Sequence, residues 1–537
     1  MTQADLLKPT EYGLLRKFDD YLPGQAEAIL SMEAQFNEGK RIIFCDAPTG
    51  SGKSLLAVIL AKHSNPGSAL IVVQSKALQD QYLRDFPFLA KVIGRNNFEC
   101  TLEPELAADE GLCAIEDFEC EDKYSICSYY IQKAKAAAAL MVTTNIAFFL
   151  TEGNLGSGQV SGYRDFLVLD EGHLLENSLM DFVSIALPER SLRLVGLSLP
   201  QLDSPDEAKD WAMRMWPLVS ERKNTLAVET KGNSLDANAI RELLRYQRMT
   251  KRLRTLAEIE PGKWFLAENY HGYVLRPYLI DEFVEPLVLA HANKILMMSA
   301  TFLNARVMSK LLGLDFEIVG WHQMDSNFPP ERRPYNFIPI VKLSYRTKSV
   351  GYDRLAQAID QILERHASEK GVIHTSSFKV MNEILARTRY PRRLIHHKPS
   401  SERLSDEELT RDAAIQQFLG SREPVALISP SANLGLDLHD DLARWQIIAK
   451  IPFASLADAQ IKWRQEHDPE WYAWCTIAAT VQACGRSTRH SKDWSTVYIL
   501  DSALYILLKK YPYLFPRWWM QGFHRVENIE RAMIATH

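Results

Sequence analysis

RIIFCDAPTGSGKS, residues 41–54, joins an apolar run to a glycine-rich turn and the opening of a helical pattern. The run Arg41 to Asp46 lacks polar alternation, so it reads as a parallel strand covered on both faces. The adjoining segment, Ala47-Pro-Thr49-Gly50-Ser51-Gly52-Lys53-Ser54, has the order of a phosphate loop, although Ala47 stands where such loops usually begin with glycine. The glycines let backbone N–H groups approach phosphate oxygens. Lys53 reaches the β and γ phosphates of a nucleotide, and Ser54 offers a hydroxyl to magnesium. A Gly/Ser-rich turn arising by chance would not sit between a strand and a helix. Ala47, Thr49, Gly50, Ser51, Gly52, Lys53 and Ser54 are therefore the expected ATP-contacting residues.

Outward from this loop, ALIVVQ (69–74) completes a βαβ unit, and FLVLD (166–170) and KILMMS (294–299) extend the same sheet across long insertions. A second set, GVIHTSS (371–377), VALISPSA (425–432), WQIIAKIPF (445–453) and STVYILD (495–501), alternates with helical stretches. The expected fold class is α/β, with two parallel-sheet domains, the second from about residue 335 onward. Between Glu176 and Gly262 the pattern turns helical and charged, which predicts a helical subdomain. No internal repeat or low-complexity tract interrupts the chain.

At 537 residues the chain exceeds what one hydrophobic core supports, and 46% hydrophobic with 24% charged residues is a globular composition. A net charge of -5 is not an overall basic signature, so any nucleic-acid site must be a local groove. No run approaches the roughly 20 apolar residues of a membrane span, and the opening MTQADLLKPTEYGLLRKFDDYL has no signal-peptide core. The expectation is a cytoplasmic protein, nucleoid-associated in a bacterium or phage, with no membrane partner. Seven cysteines, an odd number and clustered, argue for reduced thiols or metal ligands over disulfides.

Asp170-Glu171-Gly172-His173 ends the strand FLVLD, where carboxylates face the phosphates across a sheet edge. Asp170 is the expected magnesium ligand. Glu171 is the expected group that positions or deprotonates the attacking water. A lone Asp-Glu pair after a strand is usually a solvated loop; a phosphate loop in the same chain reverses that reading. Ser299-Ala300-Thr301 again follows an apolar strand. Gln482-Ala-Cys-Gly-Arg486-Ser-Thr-Arg489 follows a helical stretch and offers two guanidiniums suited to bidentate phosphate contact and to transition-state charge. The plainer alternative is surface arginines paired with nearby acids.

In this order, Gln25 in YLPGQAEAI, APTGSGKS, DEGH, SAT and QACGRSTR, the chain resembles a superfamily 2 helicase, and more closely the XPD/DinG branch. CSYYIQKAKAAAALMVTTNIAFFL and DLARWQIIAKIPFASLAD are similar to the family in context. The resemblance implies two RecA-like domains with ATP between them, an iron–sulfur insertion and a helical arch. The implied layout is motor domain 1 over 1–95, 136–175 and 263–334, the iron–sulfur domain over 96–135, the arch over 176–262, and motor domain 2 over 335–537. It adds Gln25, Asp437 and Gln482 to the nucleotide site and Lys53, Asp170, Glu171, Arg486 and Arg489 to catalysis. It implies ATP and Mg2+ as cofactors, single-stranded and forked duplex DNA as partners, movement 5′ to 3′, and protein partners from a repair, replication or mobile-element system. In SANLGLDL the chain departs from the family, with Leu434 where Glu usually precedes the Gly-x-Asp of Gly435 and Asp437.

Cys100, Cys113, Cys120 and Cys127, separated by twelve, six and six residues, fall where this family carries a [4Fe–4S] cluster. Zinc also accepts four sulfurs, but its small modules usually supply Cys-x-x-Cys pairs, which this stretch lacks. Cys45 and Cys475 read as core residues and Cys484 as a small packing residue. Phe328 and Phe378 are candidate stacking contacts for a single strand, with core packing as the alternative for each. Two further readings stay open: a translocase that remodels nucleic-acid complexes without unwinding, RNA included among its tracks, and a DNA-binding scaffold with a weakened ATPase.

Overall fold

The computed structural model describes residues 6–64, 67–116, 118, 120–231, 237–269, 271–344, 347–399, 409–430, 438–488, 490 and 492–536. Strands β1 (Ile42–Asp46), β2 (Ala69–Val73), β3 (Ala90–Lys91), β4 (Met141–Asn145) and β5 (Arg164–Asp170) belong to the first motor sheet. β6 (Ile185–Pro188), β7 (Trp264–Asn269) and β8 (Gly272–Pro277) form a separate small sheet. β9 (Ala292–Ser299) and β10 (Val319–Gln323) return to the first, giving seven parallel strands in the order β10-β1-β9-β5-β2-β4-β3. The continuous apolar runs follow from this burial. Ile42, Phe44, Leu167, Leu169, Ile295 and Met297 point into one core, while Ile43, Cys45, Phe166, Val168, Leu296 and Met298 point into the other. With a period of two and both faces covered, the middle of each such strand takes apolar residues at every position.

The second motor sheet holds β11 (Tyr335–Val341), β12 (Gly371–His374), β13 (Leu394–Ile395), β14 (Ala426–Ser429), β15 (Trp445–Ile448), β16 (Thr496–Asp501) and β17 (Phe523–Arg525). All are parallel, in the order β13-β14-β12-β15-β16-β11-β17. One core cluster runs from Ile42 and Phe302 to Trp474, Ile499 and Trp519, so the two motor domains share apolar packing. Ile451 N–H and Leu343 N–H donate to the buried Asp501 at the edge of β16.

The inserted subdomain is not purely helical. Its two long helices, Pro205–Lys231 and Ala237–Glu258, pack Trp211, Val219, Leu253 and Leu256 onto β6, β7 and β8, an antiparallel sheet. β7 and β8 lie in the 263–334 stretch expected to belong to motor domain 1, yet they pair with β6. The reason is periodicity: Trp264, Tyr273 and Leu275 supply the apolar face that the helix pair needs.

Candidate functional site

β1, β5 and β9 end together: Asp46 is level with Ser299, and Asp170 with Met298. This edge therefore gathers the phosphate loop, DEGH and SAT from positions far apart in the chain. Gly50 and Gly52 adopt left-handed backbone, with φ of 79° and 76°, which turns the loop back toward the strand. Lys53 opens the helix Lys53–Ser64 and folds over the loop, its Nζ 3.1 Å from the Ala47 carbonyl oxygen. The Gln25 side chain accepts from Leu22 N–H (2.8 Å) and donates to Ser51 O (2.9 Å). A Cβ at position 52 would stand 2.3 Å from its Nε2. Gln25 thus braces the loop from behind and does not line the cavity.

The donor set suits magnesium. Tyr82, fully buried, donates to Asp170 Oδ2 at 2.9 Å and also hydrogen-bonds Ser54, joining the two expected ligands. Burial, then the neighbouring Glu171, push the Asp170 carboxyl up to about 6, while Lys53 pulls it down. A divalent cation at this all-oxygen site would favour the ionised form in the same way. Asp46, at the end of β1, is also raised to about 6 by burial; Gln323 Nε2 (3.0 Å) and Phe302 N–H (3.2 Å) donate to it. Glu171 has left-handed backbone, with φ 52°, an uncommon conformation for a non-glycine residue that turns its side chain out of the strand direction.

His173 connects the pieces. Its Nδ1 lies 2.7 Å from Ser299 Oγ and 3.4 Å from Glu171 Oε2, and its Nε2 accepts from Gln482 Nε2 at 2.7 Å. Burial, with Lys53 adding to it, lowers its pKa to about 3, so the ring is neutral near neutral pH. Gln482 belongs to the helix Pro469–Cys484 of the second domain and also lies 3.5 Å from Thr301 Oγ1. Past that helix, Arg486 reaches a cavity of about 110 Å³ lined also by Thr49, Lys53, Glu171, Gln482 and Trp518. Its volume suits phosphate groups and not a whole nucleotide. Arg489 and Asp437 lie outside the described residues, as do Leu434 and Gly435.

Two families match this chain: the Helicase C-terminal domain over residues 359–522 and the Type III restriction enzyme, res subunit, over 20–198. Its fold is similar to that of a solved XPD helicase, with a TM-score of 0.60 at 16% identity over 94% of this chain and 98% of that one. It is similar to S. tokodaii Xpd4, with a TM-score of 0.59 at 13% identity over 94% and 100% of the two chains. The chain thus matches a helicase C-terminal domain and shares the fold of XPD helicases. A stretch of 136 residues is 26% identical to the Fanconi anemia group J protein homolog of Gallus gallus, covering 22% of this chain and 11% of that protein.

In this chain the cysteine segment has almost no core of its own. Cys100, Leu106 and Leu112 pack against Ile240 and Leu244 of the helix Ala237–Glu258. Gln247 bridges Ala114 O and Glu116 N–H, both at 3.1 Å, and Lys223 and Lys251 pair with Glu116 at 3.2 and 3.3 Å. Burial raises the Cys113 and Cys120 thiols. Arg95, 3.9 Å from Cys113 Sγ, opposes that at Cys113, and both thiols feel Cys100. Four thiols in one electrostatic neighbourhood suit a multi-thiolate centre. A tetrahedral zinc would draw sulfurs to about 3.8 Å of one another. Among the described residues, only Asp440, His490 and Asp493 bring three ligand atoms within 4.8 Å, and Arg444 Nη1 already lies 3.0 Å from Asp493 there. Four thiolates suit either a tetrahedral zinc or an iron–sulfur cluster in which each binds a separate iron.

Cys45, Cys475 and Cys484 are shielded by burial, which holds their thiols protonated. Phe328 is a core side chain, and Phe378 packs edge-on against His397 beside the second sheet, so neither presents an open stacking face. The sequence reading missed Tyr82, Asp46, Gln323 and Trp518. Nothing in QDQYLRD or PRWWMQ signals a nucleotide site; only the packing of strand edges brings them in. For Asp46 a signal existed, an acidic residue closing an otherwise apolar strand.

Proposed function

We propose that this chain is an ATP-dependent DNA helicase that moves 5′ to 3′ along single-stranded DNA and parts the duplex ahead of it. The observation that carries this is the two-domain cavity, with Lys53 and Glu171 on one wall and Gln482 and Arg486 on the other. Lys53 and the loop amides bind the β and γ phosphates, Glu171 takes the proton of the attacking water, and Arg486, with Arg489, neutralises charge as the phosphoryl group leaves. Ser54 and Asp170 hold Mg2+, which supplies Lewis-acid stabilisation of phosphate charge when bound. Because the water-activating and charge-neutralising groups sit on different domains, hydrolysis requires closure and product release permits opening. Those two motions are the step of a translocase.

Beside the cysteine segment lies a cavity of about 550 Å³ lined by Lys76, Arg95, Lys123, Tyr129, Tyr130 and Phe148. Cations interleaved with aromatic rings suit a single strand, gripping phosphates by charge and bases by stacking without reading sequence. Cys100, Cys113, Cys120 and Cys127 hold a [4Fe–4S] cluster, whose binding energy would order a segment that lacks its own core. The segment then serves as a rigid wedge clamped to the arch.

Tailed duplexes test the assignment. With ATP, unwinding is expected from a 5′ single-stranded tail and little from a 3′ tail. Preference for the 3′ tail would overturn the polarity, and strand-stimulated ATP turnover without unwinding of any fork would reduce the activity to translocation. A second measurement addresses the cysteines: protein purified without oxygen should be brown, with iron near four per chain. Cys113→Ser should cut unwinding by about 10–100-fold while ATP turnover changes only a few-fold. Stoichiometric zinc in a colourless protein would refute the cluster, and normal unwinding by the variant would refute the wedge.

A further inference from the structure

Gln446 interrupts an otherwise apolar strand, Trp445-Gln446-Ile447-Ile448, and no sequence motif accounts for it. It lies on β15, where Val372 of β12 and Val497 of β16 stand level with it on either side. The residue is fully buried. Taking an amide out of water is costly unless its polar atoms find partners, so those partners show what the side chain does there.

Both the amide nitrogen and the oxygen are engaged. Gln446 Nε2 donates to Ser487 Oγ at 2.6 Å and to Cys484 O at 3.4 Å, and Oε1 lies 3.0 Å from His374 Nε2. A carbonyl oxygen only accepts, so the atom facing Cys484 is the amide nitrogen and the atom facing His374 is the oxygen. His374 therefore carries a proton on Nε2 and donates it. Since His374 ends β12 and is itself buried, the sheet holds the amide from one side while the amide grips the arginine segment on the other. Cys484 is the last residue of the helix Pro469–Cys484, where a carbonyl has no partner within the helix, and Ser487 is fully buried just beyond it. Arg486 stands between these two anchors and lines the cavity with Lys53 and Glu171.

We propose that Gln446 is a positioning residue for ATP hydrolysis: by holding the chain on both sides of Arg486, it aims that guanidinium at the phosphates. The inference deepens the ATP-site reading above and rests on Arg486 acting there. Gln446 touches no nucleotide and takes part in no bond-making step. A group that neutralises developing charge works only in its place, and a misplacement of about 1 Å can cost about 100-fold in rate. Because that charge develops in the transition state, the loss falls on kcat and not on nucleotide binding.

The test is steady-state ATP turnover by the full chain with Mg2+ and single-stranded DNA, in two backgrounds. Gln446→Met keeps the volume and removes both donor hydrogens. Its kcat should fall about 10–100-fold, while KM for ATP and Kd for a fluorescent ADP change less than about threefold. Ser487→Ala, which removes one acceptor, should lower kcat about three- to tenfold with the same split. On top of Arg486→Ala neither change should lower kcat further, because the group they aim is gone. A wild-type kcat in Gln446→Met would overturn the proposal, as would a loss that recurs in full in the Arg486→Ala background or a loss of ADP binding equal to the loss of turnover. Should Gln446→Met fail to fold, Ser487→Ala decides by the same criteria. Wild-type turnover by Arg486→Ala would instead show that the ATP-site reading of Arg486 is wrong, and the positioning role falls with it.

Discussion

Lys53→Ala is expected to lower strand-stimulated ATP turnover by about 10³-fold or more, with the melting transition nearly unchanged. The side chain is only partly buried, makes one hydrogen bond to Ala47 O, and fills no core cavity. Its removal therefore costs little packing. The loss falls on the nucleotide, because Nζ is the positive charge over the phosphate loop and lies close enough to Asp170 and Asp46 to pull both carboxyls down. Without it, both carboxyls protonate at a higher pH, and the magnesium ligand is weakened as well. Steady-state turnover with single-stranded DNA, set beside a thermal melt, checks this. Substantial remaining turnover would mean that the loop does not bind the phosphates that are cleaved.

Arg464→Ala is expected to destabilise the docking of the two motor domains by about 3–5 kcal/mol. Arg464 and Glu176 form an ion pair with side chains only 6% and 8% exposed, and they come from opposite domains. Glu176 Oε2 also accepts from Trp471 Nε1 at 3.2 Å, and the Arg464 guanidinium sits 3.6 Å from the centre of that indole. Truncating the arginine leaves a carboxylate buried with one neutral donor, whereas replacing both partners by apolar residues removes the uncompensated charge. Arg464→Ala should thus be more damaging than the double change Glu176→Leu with Arg464→Leu. Calorimetric unfolding of Glu176→Leu, Arg464→Leu and the double, read as a cycle, measures the coupling. Single truncations costing below about 1 kcal/mol would show that the pair is as inconsequential as a surface one. Glu176 lies on the helix after DEGH, and Arg464 on the helix before the one that carries Gln482, so the pair lies at the base of the moving parts.

The strands that carry the nucleotide motifs were legible because a parallel strand covered on both faces writes itself as an unbroken apolar run, and because a phosphate loop needs glycines and a lysine at set spacing. Local order therefore singled out Lys53, Glu171, Gln482 and Arg486, which line one cavity, and Asp170, which Tyr82 holds beside it. The same local logic failed for the inserted subdomain. Charged amphipathic helices announce themselves by period, but β7 and β8 gave no sign that they pair with β6, since a partner strand separated by two long helices leaves no local trace. Gln25, expected at the nucleotide, also braces the loop, a role that depends on where the Ser51 carbonyl points. Tyr82 was invisible for a related reason: it acts through one polar atom on an aromatic ring, and composition cannot tell such a ring from core. The sequence by itself thus determined the fold class, because apolar runs and turn residues depend on residue type at short spacing. Only the tertiary structure decided which residues of the two domains line one cavity, which tyrosine holds Asp170 and which helix supports the cysteines. Those choices depend on three-dimensional proximity between segments far apart in the chain.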